Sequence, residues 1–77
     1  MLAKSHNVFF NILKEPKLLD MIKEDTFKDP LSKKFYHCLK HLYHNGLEIN
    51  AENIFVTTKD IEVLVLYMTL DIAMDTI

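Results

Sequence analysis

Apolar residues along this chain recur every three or four positions, the spacing of one helical face, and almost nowhere alternate as a half-buried strand would require. The clearest stretch is 29–46, where Leu31, Phe35, Cys38, Leu39 and Leu42 share a face that Tyr36 and Tyr43 widen on one side. Asp29 can cap the first free backbone N–H groups, and Pro30 stands at the first helical position, where its missing N–H is harmless. Asn45 and Gly46, the chain's single glycine, close the segment with a residue suited to a left-handed C-terminal cap. The pattern predicts a long central helix over residues 30–45.

Other elements follow in order. A first helix is expected from Ser5, as its cap, to Leu13, with Val8, Phe9, Ile12 and Leu13 inward and Phe10 on a second face that also needs cover. Lys14-Glu15-Pro16 breaks it, and Pro16 starts a short helix reaching Lys23 with Leu18, Leu19, Met21 and Ile22 apolar. Residues 24–28 read as a polar connection from which Phe27 plugs the core. Leu47-Glu48-Ile49-Asn50 alternates, yet no second strand exists to pair with it, so an extended linker is expected. Asn50 can cap a short helix holding Ile54 and Phe55. Thr57, three residues before Asp60, has capping-box spacing for a last helix that runs from about Lys59 towards the C-terminus.

That last helix carries Ile61, Val63, Leu64, Val65, Leu66, Tyr67, Met68, Leu70, Ile72, Ala73 and Met74 around nearly its whole circumference. Its β-branched residues leave a strand over 61–66 as an alternative. A helix apolar all round wants cover on all sides, which a domain this small can hardly provide. It is therefore expected to meet another chain or further elements of its own, with Leu66, Tyr67, Met68, Leu70, Ile72 and Met74 as the expected interface. Met68, Met74 and Tyr67 would make an adaptable contact surface, with core filling as the alternative for each residue taken alone. The fold class is all-α: one domain over 1–77, a small bundle of about five helices.

Composition narrows the function. Seventy-seven residues with 49% apolar content suit one globular domain with a thin stability margin. All nine basic residues are Lys, and the net charge is −2. Without Arg there is no bidentate guanine reader or arginine finger, and direct nucleic-acid binding is not expected. The charge is split, with eight Lys against five acids in 1–45 and one Lys against six acids in 46–77. The lone cysteine, Cys38, falls on an apolar face and reads as a buried thiol in a reducing compartment. No signal peptide is visible and the longest apolar run, 63–68, is too short to span a membrane, so a cytoplasmic protein is expected.

Candidate chemistry is sparse. His37, His41 and His44 lie at i, i+4 and i+7, on one stripe with Lys33, Lys34 and Lys40. Two His four apart can chelate a transition metal. Here no Cys or carboxylate shares the stripe and the neighbouring ammonium groups oppose a cation. A solvated basic face is the expected reading, and a docking surface for an acidic partner, made by Lys33, His37, Lys40, His41 and His44, is the alternative. Asp71 and Asp75 repel each other at i, i+4 on an exposed strip. One glycine cannot build a phosphate-cradling loop, and no Ser, Thr or Cys has a supportable His and acid around it. No catalytic residue, cofactor or metal is expected.

Val8-Phe9-Phe10-Asn11-Ile12-Leu13-Lys14-Glu15-Pro16-Lys17-Leu18-Leu19-Asp20-Met21-Ile22, followed by Glu24-Asp25-Thr26-Phe27, resembles the opening of the N-terminal domain of DnaB-family replicative helicases. That family has an aliphatic first helix, a break, a short helix and an acidic-aromatic loop. Leu42-Tyr43-His44-Asn45-Gly46-Leu47-Glu48-Ile49-Asn50 resembles the end of its next helix, and the likeness covers residues 6–55 in register and 56–77 loosely. The chain departs from the family at Phe10, where a small residue is usual, at Ser32, near which the family often has a His, and at Asn50, in place of Asp. The resemblance implies a helical domain without catalytic residues that associates with neighbouring copies and contacts primase or loader proteins in DNA replication. The ATPase motor is absent, so it implies an excised N-terminal domain or a small stand-alone relative of a phage-encoded kind. A monomeric regulator that binds helicase or primase is the alternative.

Overall fold

The computed structural model describes residues 4–75, with side chains from 7 to 73 apart from Glu24. Four α-helices form among them: α1 (Lys4–Lys14), α2 (Pro30–His44), α3 (Ala51–Thr58) and α4 (Ile61–Asp75). Two short 3₁₀ segments, Pro16–Asp20 and Glu24–Thr26, connect α1 to α2. No strand occurs among the described residues, and 61–66 is helical.

The central helix forms where its local chemistry places it. Asp29 Oδ2 accepts from the Ser32 N–H at 2.8 Å, Pro30 begins the first turn, and Gly46 adopts φ +69° just past the end. Phe35, Tyr36, Cys38, Leu39 and Leu42 are buried along one side. Against them lies an aromatic cluster. Phe9 stacks on Phe27 with ring centroids 4.6 Å apart, leans on Phe35 at 4.6 Å, and Phe27 tilts against Tyr36 at 5.2 Å. Phe27 therefore plugs the core from its loop as expected, and Phe10 finds its cover within the hydrophobic core.

Three boundaries differ from the sequence reading, each for a physical reason. Ser5 lies inside α1 rather than ahead of it. The second segment is a 3₁₀ turn ending at Asp20, not a helix to Lys23. The Leu18 carbonyl accepts from both Met21 and Ile22, while the Tyr36 hydroxyl donates to the Ile22 carbonyl at 2.7 Å. That tertiary bond holds the chain turned back towards α2, leaving Leu19 buried and Met21 outside. α4 begins at Ile61, because Lys59 takes a left-handed conformation (φ 52°) and its N–H closes α3 on the Phe55 carbonyl at 2.7 Å. The cap of α4 is Asp60 itself, accepting from the Glu62 N–H at 2.9 Å, while Thr57 points outward. Asn50 caps α3 as expected, accepting from Asn53 at 2.8 Å.

The molecule measures 32 × 24 × 23 Å, room for about two layers of helices about 10 Å thick. A helix in either layer has one side inward and one side out. α4 packs on α3, α1 and α2 with its inner side, and its outer side is uncovered.

Candidate docking surfaces

At about 100° per residue, the apolar residues of α4 resolve into two stripes on opposite sides. Val63 and Leu70 are fully buried, and Leu66, Tyr67 and Ala73 pack beside them against the core. On the other side Ile61, Val65, Met68 and Ile72 fall within an arc of about 60° and are 61%, 54%, 48% and 63% exposed. Their spacing is four, three, four, the repeat of a helix–helix seam. Leu64 and Asp71 flank the stripe on one side, Glu62 and Thr69 on the other. α4 contains Glu62, Asp71 and Asp75 and no basic residue.

Among the residues expected as an interface, Met68 and Ile72 stand on this outer stripe. Leu70 does not: it sits in the core, half a turn away from the exposed residues, so it can contact nothing outside. Leu66 and Tyr67 are half-buried against the core, with the Tyr67 ring edge-on to Phe35 at 6.5 Å. The Met74 side chain lies outside the described residues. Ile61 and Val65 complete the stripe and were absent from the sequence expectation. The four-three-four spacing is visible in the sequence, but the second, inward set of apolar residues masks it.

The expected basic face of α2 has a different character. His37, His41 and His44 are exposed, and Lys33 and Lys40 half-buried. Much of this charge is already engaged. Lys34 Nζ lies 2.7 Å from Asp60 Oδ2, tying α2 to the start of α4, and His44 Nε2 lies 2.5 Å from Asp20 Oδ1. Lys40 Nζ sits 3.4 Å from the Tyr36 hydroxyl, over its ring at 5.6 Å. Lys34 and the Glu62 backbone N–H hold the Asp60 carboxyl below its ordinary pKa. Among the described residues no three His, Cys, Asp or Glu side chains converge on one point.

Cys38 is buried with its Sγ 3.9 Å from the Ile54 carbonyl, and burial pushes the thiol up to about 11, the unreactive protonated form. An open cleft of about 810 Å³ runs between the end of α1, the turn after α2 and the middle of α4, walled by Pro16, Tyr43, Leu47, Ile49 and Tyr67. Desolvation, then the charges of Asp71 and Glu48, raise the Tyr67 pKa there. No described helix is long and apolar enough to cross a membrane.

Comparison with protein-family models, curated proteins and solved structures finds no match to this chain.

Proposed function

We propose that this chain is a non-catalytic protein-docking domain that works in the cytoplasm, acting through the outer face of α4. The observation that carries the reading is the stripe of Ile61, Val65, Met68 and Ile72, four large apolar side chains left in water on one helix while the opposite side of the same helix is fully packed. Exposed apolar residues scattered singly are ordinary, whereas a contiguous row at helical repeat marks a contact surface. The resemblance of residues 6–55 to the N-terminal domain of DnaB-family helicases supplies the setting: docking among replication proteins, with neighbouring copies, primase or a loader as partners.

A monomeric regulator of helicase or primase is the second reading. The charge of α4 favours it, because two such helices laid together gather three carboxylates from each and no cation.

Equilibrium sedimentation over a concentration series, on the wild type and on Val65→Glu, tests both. A dimer or larger assembly supports the collar-like domain. Loss of that assembly in Val65→Glu puts the second copy on α4, and its persistence puts the copy contact elsewhere on the domain. A monomer throughout supports the regulator. A Val65→Glu chain that unfolds overturns the outward assignment of Val65.

A further inference from the structure

We propose that the partner of the α4 face is a cationic amphipathic helix of another protein, with apolar residues at four-three-four spacing and Lys or Arg beside them. The inference rests on the reading of α4 as a contact face and names what that face takes.

The first argument is shape. Four apolar knobs at positions 61, 65, 68 and 72 span about 17 Å, three turns of helix. Their repeat matches the holes between side chains of a facing helix, which present the same two alternating steps. The second argument is charge. Glu62 and Asp71 are exposed on opposite flanks of the seam, and no Lys or His occurs anywhere on α4. The last turn carries no basic residue to offset the helix's negative pole, and Asp71 and Asp75 add to it. A partner bearing cations at the flanking positions, densest towards this C-terminal end, relieves the like charge. An anionic partner adds to it.

The two occupants available within this protein fit poorly. A second α4 brings its own acids and no base. The basic stripe of α2 has the right sign but no exposed large apolar side chain to fill the seam, since the exposed large hydrophobics among the described residues fall at Met21, Leu47, Phe55, Val56 and on α4.

The test uses two synthetic helical peptides of about three heptads, identical in their apolar seam, one flanked by Lys and the other by Glu. Binding to the full chain is followed by fluorescence anisotropy. The Lys-flanked peptide is expected to bind at least about tenfold more tightly, with the gap narrowing as salt rises from about 50 to about 500 mM. Val65→Glu should weaken that binding by more than about tenfold while circular dichroism stays that of the wild type. The doubly reversed chain, Glu62→Lys with Asp71→Lys, should shift the preference towards the Glu-flanked peptide, and it carries the test if Val65→Glu fails to fold. Equal binding of both peptides, or an unchanged preference in the reversed chain, overturns the proposal. Binding of neither peptide, with a wild-type dimer that Val65→Glu dissociates, makes a second copy the occupant and leaves the docking reading standing. Binding of neither by a chain that stays monomeric overturns the cationic-helix proposal and leaves the monomeric regulator with a partner of another kind.

Discussion

α2 and α4 are both fifteen residues long and both bury one side in the same core, yet they treat water in opposite ways. α2 sets Phe35, Leu39 and Leu42 inward and Lys33, Lys34, His37 and His41 outward, the ordinary division of a surface helix. α4 sets Val63 and Leu70 inward and Ile61, Val65, Met68 and Ile72 outward. Burial in the domain explains α2 completely. For α4 it explains half, and the unexplained half is where function is sought.

The sharpest way to break this contrast is a pair of substitutions two residues apart. Val63→Asp drives a carboxylate into a fully buried site, a penalty of several kcal/mol that a small domain cannot absorb. Val65→Asp places the same carboxylate in water. Urea unfolding followed by circular dichroism should find the Val63 variant unfolded or nearly so and the Val65 variant folded, within about 1 kcal/mol of the wild type. Equal damage at both sites would mean that α4 has no outer face.

On α2 the corresponding measurement is Leu39→Ala. Leu39 is fully buried at the middle of the helix, and its loss should lower stability by about 2–5 kcal/mol. His41→Ala, two residues on and exposed, should change it by less than about 0.5 kcal/mol. A loss at Leu39 below about 0.5 kcal/mol would remove α2 from the centre of the fold.

The same two helices show how far local chemistry reaches. α2 was readable at both ends because its signals act over a few residues: the Asp29 carboxylate on the Ser32 N–H, proline at the first position, glycine past the last. The second segment was misread because its outcome depends on Tyr36, fourteen residues beyond Ile22, whose hydroxyl takes the Ile22 carbonyl. α4 was readable as apolar all round, but an unbroken apolar circumference carries no sign of which side faces in. Only the packing of Val63 and Leu70 separates the stripes, so the pattern alone places Leu70 in the interface and does not single out Ile61 and Val65. The basic stripe of α2 was seen correctly as a row of residues. That Lys34 and His44 already hold Asp60 and Asp20 follows from tertiary approach and not from spacing.

Cys38 probes the inner edge of α2 by pH. Burial raises its thiol from 9.0 to about 11, so the unfolded chain ionises first. Its stabilising contribution is complete below pH 9 and is lost as pH rises towards about 11, a fall of about 2–3 kcal/mol. Tyr67, also raised, acts in the same direction at the upper end of that range. Cys38→Ala should flatten the alkaline arm of a stability–pH curve measured by urea midpoints. An unchanged arm would mean that the thiol is open to water in the folded protein.

The smallest effect joins the two helices at their polar seam. Asp60 caps α4 and pairs with Lys34 of α2, and both contacts depress its pKa, the Lys34 hydrogen bond most. A depressed carboxyl contributes stability above its unfolded value of 3.8 and loses it as pH falls through the lower folded value. Both partners are open to solvent, so the contribution is minor and weakens with salt. Lys34→Ala should therefore leave stability at pH 7 almost unchanged and make the decline below pH 4 shallower. What remains of Asp60's share of the slope belongs to the cap, because the Glu62 N–H still holds its carboxylate. Asp60→Asn, which keeps an acceptor for that N–H but cannot ionise, should remove Asp60's share of the slope altogether. If the two variants lose the same share of the acid slope, the depression of Asp60 comes from Lys34 alone, and the start of α4 is anchored by α2 and not by its own first turn.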